Sequence, residues 1–117
     1  MLRALMAAGT GITGATVVVS CSPTYVSKIT KFEEGDTSST TATPSGGIGS
    51  YTYAWTIESD GGNLAANSPT AASTSFHWVG LFPLDETSSD FRCTATDSLG
   101  NTGYQIITVY VARTEFE

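Results

Sequence analysis

The residues best suited to chemistry are few. The chain has one histidine, His77, and two cysteines, Cys21 and Cys93. A serine or cysteine nucleophile needs a base beside it and a carboxylate to orient that base. His77 lies between Phe76 and Trp78 with neither partner near it in sequence, so it reads as a surface or half-buried strand residue. With 19 Thr and 14 Ser in 117 residues, any choice of a Ser–His–Asp set is arbitrary. Cys21 and Cys93 are 72 residues apart and belong to no C-x-x-C pair, and His77 has no second ligand at metal-binding spacing. They read as reduced, buried small hydrophobes. No cysteine occupies an early-strand position opposite Cys93, and Cys21 falls on a different strand, so folding without a disulfide is expected. Asp60 and Asp85-Glu86 have the residue types of a glycosidase pair, but acids in turns are usually solvated. Glu33-Glu34-Gly35-Asp36, and Asp97 with Asn101, offer oxygens to calcium without the regular spacing of a dedicated loop. This reading expects no enzyme, no cofactor and no metal.

Charge narrows the partners. Net charge is −6, and the cations are Arg3, Lys28, Lys31, Arg92 and Arg113. Phosphate backbones are bound by clustered cations, so nucleic acid is excluded as a partner, and anionic membrane surfaces are disfavoured. From Ala4 to Ser27 the chain carries no charge, but glycines and Pro23 interrupt it and only 13 of these 24 residues are apolar. A membrane span needs about 20 predominantly apolar residues. A signal peptide reads weakly: Arg3 precedes Ala4 to Ala8, and Val18-Val19-Ser20-Cys21 loosely resembles a lipoprotein box. Val17-Val18-Val19 reads better as a strand.

The elements that position these residues are strands. Charged residues are 14% of the chain, against about 25% in most proteins. Thr, which favours strands, and Ser and Gly, which favour turns, take their place. Strands are predicted at Val17–Cys21, Tyr25–Ile29, Thr37–Thr43, Tyr51–Glu58, Thr74–Val79, Asp90–Asp97 and Tyr104–Ala112. Pro23 suits an edge or a switch between strands, and Pro44 to Gly49 reads as a loop. Tyr51, Tyr53, Trp55 and Ile57 share one face by strict alternation. Phe91, Cys93 and Ala95 share another, as do Ile107, Val109 and Val111. Thr40 and Ala42 face inwards. Tyr104, Ile106 and Tyr110 form an apolar outer face on the last strand, which asks for cover. Leu81-Phe82-Pro83-Leu84 is an apolar corner. About seven strands and no helical segment argue a β-sandwich with Greek-key connections.

Trp55 on a central strand, followed 36 residues later by Phe91-Arg92-Cys93, resembles the Trp and Tyr-x-Cys positions of immunoglobulin-like domains. The earlier cysteine of that pattern would fall in Thr40-Thr41-Ala42-Thr43-Pro44, which has none. Phe91 replaces the tyrosine, so its corner hydrogen bond cannot form. Five segments resemble, in order, the immunoglobulin-like modules of tailed-bacteriophage virion proteins. They are Ser22–Ser27, Ala42–Gly47, Tyr51–Trp55, Asn67-Ser68-Pro69-Thr70 with Thr74-Ser75-Phe76, and Phe91–Ser98 with Gly100.

The resemblance covers residues 20 to 112. It implies a non-enzymatic virion structural protein, foremost a capsid decoration or cement protein on the capsid surface. A tail-associated protein is the alternative, and so is a secreted or cell-surface bacterial module that binds glycan or protein. Residues 1–16 are expected to be a docking arm, with Leu2, Leu5, Met6 and Ile12 as its apolar contacts. Residues 17–112 are the sandwich and 113–117 a tail. Trp55, Phe91 and Cys93 are the expected core anchors. Trp78, Tyr104, Ile106 and Tyr110 are the expected contact surface. The expected partners are the major capsid protein or other virion proteins, with a homo-oligomer or a host-surface glycan as further candidates.

Overall fold

The computed structural model describes residues 16–59 and 62–114. Among them every regular element is a strand: β1 (Val18–Ser22), β2 (Tyr25–Thr30), β3 (Gly35–Asp36), β4 (Thr40–Ser45), β5 (Thr52–Ser59), β6 (Leu64–Ala66), β7 (Ser73–Thr74), β8 (Phe76–Trp78), β9 (Glu86–Thr96) and β10 (Thr102–Arg113). One sheet has the order β2-β10-β9-β5. Two smaller sheets, β1-β4-β7 and β3-β8-β6, make the opposing layer. Only Ser75 separates β7 from β8, so these two adjoin.

Alternation puts the core between the layers. Val26, Trp55, Phe91, Cys93, Ala95, Ile107, Val109 and Val111 face in from the four-stranded sheet. Val19, Cys21, Ala42, Leu64, Phe76 and Trp78 meet them from the other side. Phe76 lies edge-on to Trp55 with ring centroids 6.1 Å apart, and 4.6 Å from Phe91. Such pairs contribute about 0.5–1.5 kcal/mol each beyond the area they bury. The Trp55 indole Nε1 donates to the Ala71 carbonyl at 2.8 Å, so its polar edge is satisfied while its rings are buried.

Pro23 marks a change of layer. β1 pairs with β4, while β2 pairs in parallel with β10. The Thr40 hydroxyl fixes the crossover by donating to the Pro23 carbonyl at 2.6 Å.

Four readings change. The predicted Thr37–Thr43 strand is shifted: β4 starts at Thr40 and continues through Pro44 to Ser45, and the short β3 ends at Asp36, before the predicted start. Pro44 is tolerated because the Ala42 N–H points to Ala72 across the sheet. Position 44 therefore faces the same side, past the start of β7, where no donor is needed. β9 starts at Glu86 because Thr87 and Ser89, polar but buried, extend its inner face beyond the apolar run. Cys21, expected on a strand other than the one facing Cys93, joins it in one core cluster from the opposing layer, and both thiols are free. At the carboxyl end the sandwich runs on through Thr114. The Arg113 Nη1 donates to the Leu81 carbonyl at 2.6 Å, and the Thr114 N–H to the Thr30 carbonyl at 2.7 Å.

Candidate partner-binding face

β10 is central to its sheet and its inner positions are filled by Ile107, Val109 and Val111. Its even-numbered residues must therefore face outwards. Tyr104 is 55% exposed and Ile106 37%, while Tyr110 is half-buried. Tyr25, on β2, joins them: it pairs with Thr108, between Ile106 and Tyr110, and is 55% exposed. From Tyr104 to Tyr110 the strand rises about 20 Å at about 3.4 Å per residue. Three tyrosines thus line an open, nearly flat face.

Charge organises that face. Arg92 pairs with Ile106 on β10 and with Thr56 on β5. Its guanidinium lies 4.0 Å from the Tyr104 ring centroid. It also grips Glu58 through two bonds, Nε to Oε1 at 2.8 Å and Nη2 to Oε2 at 3.1 Å. The fork holds the cation flat, and the Tyr104 ring is held beneath it. The Tyr110 hydroxyl donates to the Glu86 carboxylate, and this bond raises the phenol above its usual pKa. The Thr108 hydroxyl donates to Asp90 at 2.8 Å. The face is apolar in its rings and polar in its tips, as contact surfaces often are.

Of the expected contact residues, Tyr104, Ile106 and Tyr110 share this face. Trp78 does not, and that expectation is corrected: it is only 2% exposed. It lies on the same side of β8 as Phe76, and its Nε1 donates to the Phe32 carbonyl at 3.2 Å. Gly35, paired opposite, leaves the space; a Cβ there would sit 2.7 Å from the indole. Trp55, Phe91 and Cys93 are buried at 5%, 1% and 0% exposure. Leu2, Leu5, Met6 and Ile12 of the arm lie outside the described residues.

A second apolar surface was missed as a site. Phe82 is 68% exposed and Leu84 78%, with Pro83 between them. Leu84 adopts φ 64°, a left-handed conformation that costs a branched residue roughly 1–2 kcal/mol. Only Leu81 of that corner is buried. Phe32, 56% exposed, belongs to the same end, since the Leu81 N–H donates to the Glu33 carbonyl. Four successive apolar residues in a turn cannot all point inwards, and that was the available signal.

The carboxylates considered for metal have other partners. His77 Nδ1 is 2.9 Å from Asp36 Oδ1, and Nε2 is 3.1 Å from Glu34 Oε2. The two acids sit on opposite edges of the ring and do not converge on one point. The Asp36 hydrogen bond, despite some desolvation, and the Glu34 bond raise the pKa of His77. Asp97 accepts at Oδ1 from the Leu99 and Asn101 N–H groups, and at Oδ2 from the Ile48 N–H and Asn101 Nδ2. Burial pushes its carboxyl up, but these four donors outweigh that and hold it at about 2. Asp97 is a structural latch between the Gly46–Gly49 loop and the β9–β10 turn.

No protein-family model matches the chain. No curated protein matches it either. Among solved structures it is similar to a nucleoside hydrolase-related hypothetical protein from Saccharophagus degradans that is associated with carbohydrate metabolism, with 13% identity and a TM-score of 0.59. The match covers 86% of this chain and 26% of that one, so the chain spans about a quarter of its neighbour. The titin M3 domain is also similar, with 15% identity and a TM-score of 0.44 over 85% of this chain and 99% of that domain. At these identities the first likeness speaks to fold alone.

Proposed function

We propose that this chain is an immunoglobulin-like virion module without catalytic activity, foremost a capsid decoration protein. The strand layout supports the fold half of this reading. If β1/β2 count as one strand that changes sheet, and β7/β8 as another, seven remain with β4, β5, β6, β9 and β10. That count, with β3 as an added short pairing, supports reading the sheets as an immunoglobulin-like Greek key. The sequence resemblance to phage virion modules supplies the setting.

The single observation that carries a binding role is the outward face of Tyr25, Tyr104, Ile106 and Tyr110, with Arg92 clamped over Tyr104. On this reading residues 1–16 attach the module to the major capsid protein, and the face is presented outwards. The test is co-sedimentation. A chain lacking residues 2–14 is mixed with particles stripped of the native copy, then pelleted. Loss of binding with an unchanged Tm is the expected result; full occupancy would move attachment to the sandwich surface.

A secreted or surface-displayed glycan-binding module is the second reading. Three tyrosines on one open face favour it, because sugar rings stack on exposed aromatics. Retention on an insoluble polysaccharide, lost in Tyr104→Ala, with no affinity for particles, would replace the virion reading. A lipid on Cys21 of the native protein would do the same.

A further inference from the structure

Cys21 and Cys93 are the chain's only cysteines. The fold brings them together from opposite layers. Cys21 faces inwards near the end of β1, paired with Ala42 of β4. Cys93 faces inwards in the middle of β9, flanked by Trp55 on β5 and Gln105 on β10. Both side chains lie in one core cluster, at 5% and 0% exposure, where β1 packs against β9. Neither has another role in the fold's hydrogen bonding on which the candidate face depends.

We propose that Cys21 and Cys93 form a disulfide site, which links β1 to β9 across the sandwich when the chain meets a disulfide oxidant such as glutathione disulfide. The first cysteine thiolate attacks the oxidant and releases one glutathione, leaving a mixed disulfide. The second attacks that mixed disulfide and releases the other glutathione. Two S–H bonds and the glutathione S–S bond break, and one protein S–S bond forms. Two electrons pass to the oxidant, and the two glutathione thiolates take up the two protons.

Cys21 is the natural first attacker. It is the less deeply buried of the two, 5% exposed against 0%. β1 is also the strand that can admit the oxidant. It is five residues long and, among the described residues, β4 is its only sheet neighbour, so it can open while β9 stays in place. Once formed, the bond closes a 72-residue span and fastens the segment just after the arm to the centre of the sandwich. The site stands on the packing and holds for either functional reading in which Cys21 keeps its thiol.

The test lets both thiols react before folding hides them. The full chain is unfolded, reduced, refolded in a glutathione redox buffer, quenched with a maleimide and weighed intact under denaturing conditions. The expected product is a monomer lighter by two hydrogens that carries no maleimide. Reduction should lower its Tm by about 10 °C or more. The bond should form at a glutathione disulfide to thiol ratio roughly a hundredfold lower than in the chain held unfolded in denaturant. Cys21→Ser and Cys93→Ser chains should each take one maleimide. Two maleimides on the refolded wild-type chain, glutathione adducts, a linked dimer, or equal bond formation in folded and unfolded chains would each overturn the proposal.

Discussion

Trp55 is held by its rings and by its one polar atom, so removing it empties the core and strands the Ala71 carbonyl. Trp55→Ala should cost about 3–5 kcal/mol. A domain of this size has only about 5–15 kcal/mol in total, so chemical denaturation should show a variant near the limit of folding. A loss below about 1 kcal/mol would make Trp55 a surface residue. Asp97 works through protons. Its folded pKa of about 2 lies below the ordinary 3.8, so the ionised carboxylate stabilises the fold above that ordinary value. That contribution drains away as pH falls towards 2. Asp97→Asn should lower Tm at neutral pH and flatten the acid limb of a Tm-against-pH curve between 3.8 and about 2. His77 has the opposite sign. Its folded pKa is raised above 6.5, so its stabilising effect is complete below 6.5 and is lost as pH rises through the folded value. In His77→Gln that alkaline-side decline should be absent from the same curve.

At the level of elements, β9 and β10 form the spine, in register from Thr102↔Thr96 to Ala112↔Glu86. β1 rests on them. A Cβ at Gly103 would overlap the Val17 carbonyl oxygen, so the close approach of the two strands depends on that glycine. Gly103→Ala should cost about 1–3 kcal/mol and speed amide exchange in β1 before β9, read by hydrogen-exchange mass spectrometry. Equal protection in both variants would mean that β1 does not bear on Gly103. Much of this framework was legible in the sequence. Alternation in Tyr51–Glu58, Phe91–Ala95 and Ile107–Val111 placed Trp55, Phe91 and Cys93 correctly in the core. It also puts Trp78 on the Phe76 side of its strand, which is the buried side. The short pairings were not legible, because β3 and β7 have two residues each and no period. Nor was the Cys21–Cys93 contact. Neighbourhood across two layers depends on which strands face each other, and spacing along the chain carries no trace of that.

The whole sandwich has two unlike ends, set by the direction of β10. Thr102 and Gly103 lie at the end that holds the Asp97 latch and Val17. Arg113 lies at the other, tied to Leu81 beside the Phe82–Leu84 corner. Val17 and the corner are therefore separated by the length of a twelve-residue strand, about 40 Å. If the tyrosine face is the contact surface, Tyr104→Ala with Tyr110→Ala should weaken partner binding at least tenfold in a titration. Tm should stay within a few degrees, because neither ring fills the core. An unchanged affinity would shift attention to Phe82 and Leu84, to be tested as Phe82→Ser with Leu84→Gly.

The parallel ladder between β2 and β10 has a mechanical meaning. Tyr25, the first residue of β2, is aligned with Thr108, and Thr30, its last, with Arg113. Tension applied through the two termini would enter this ladder at opposite ends. Its hydrogen bonds would then share the load together, sliding rather than unzipping one by one. Rupture force in a single-molecule pull is governed by the unfolding barrier, not by equilibrium stability. Pulling by the termini should therefore need more force than pulling between Asp85 and the carboxyl terminus, which would open the β9–β10 hairpin pair by pair from its open end. A module built this way can lose its grip on a partner before it loses its own shape.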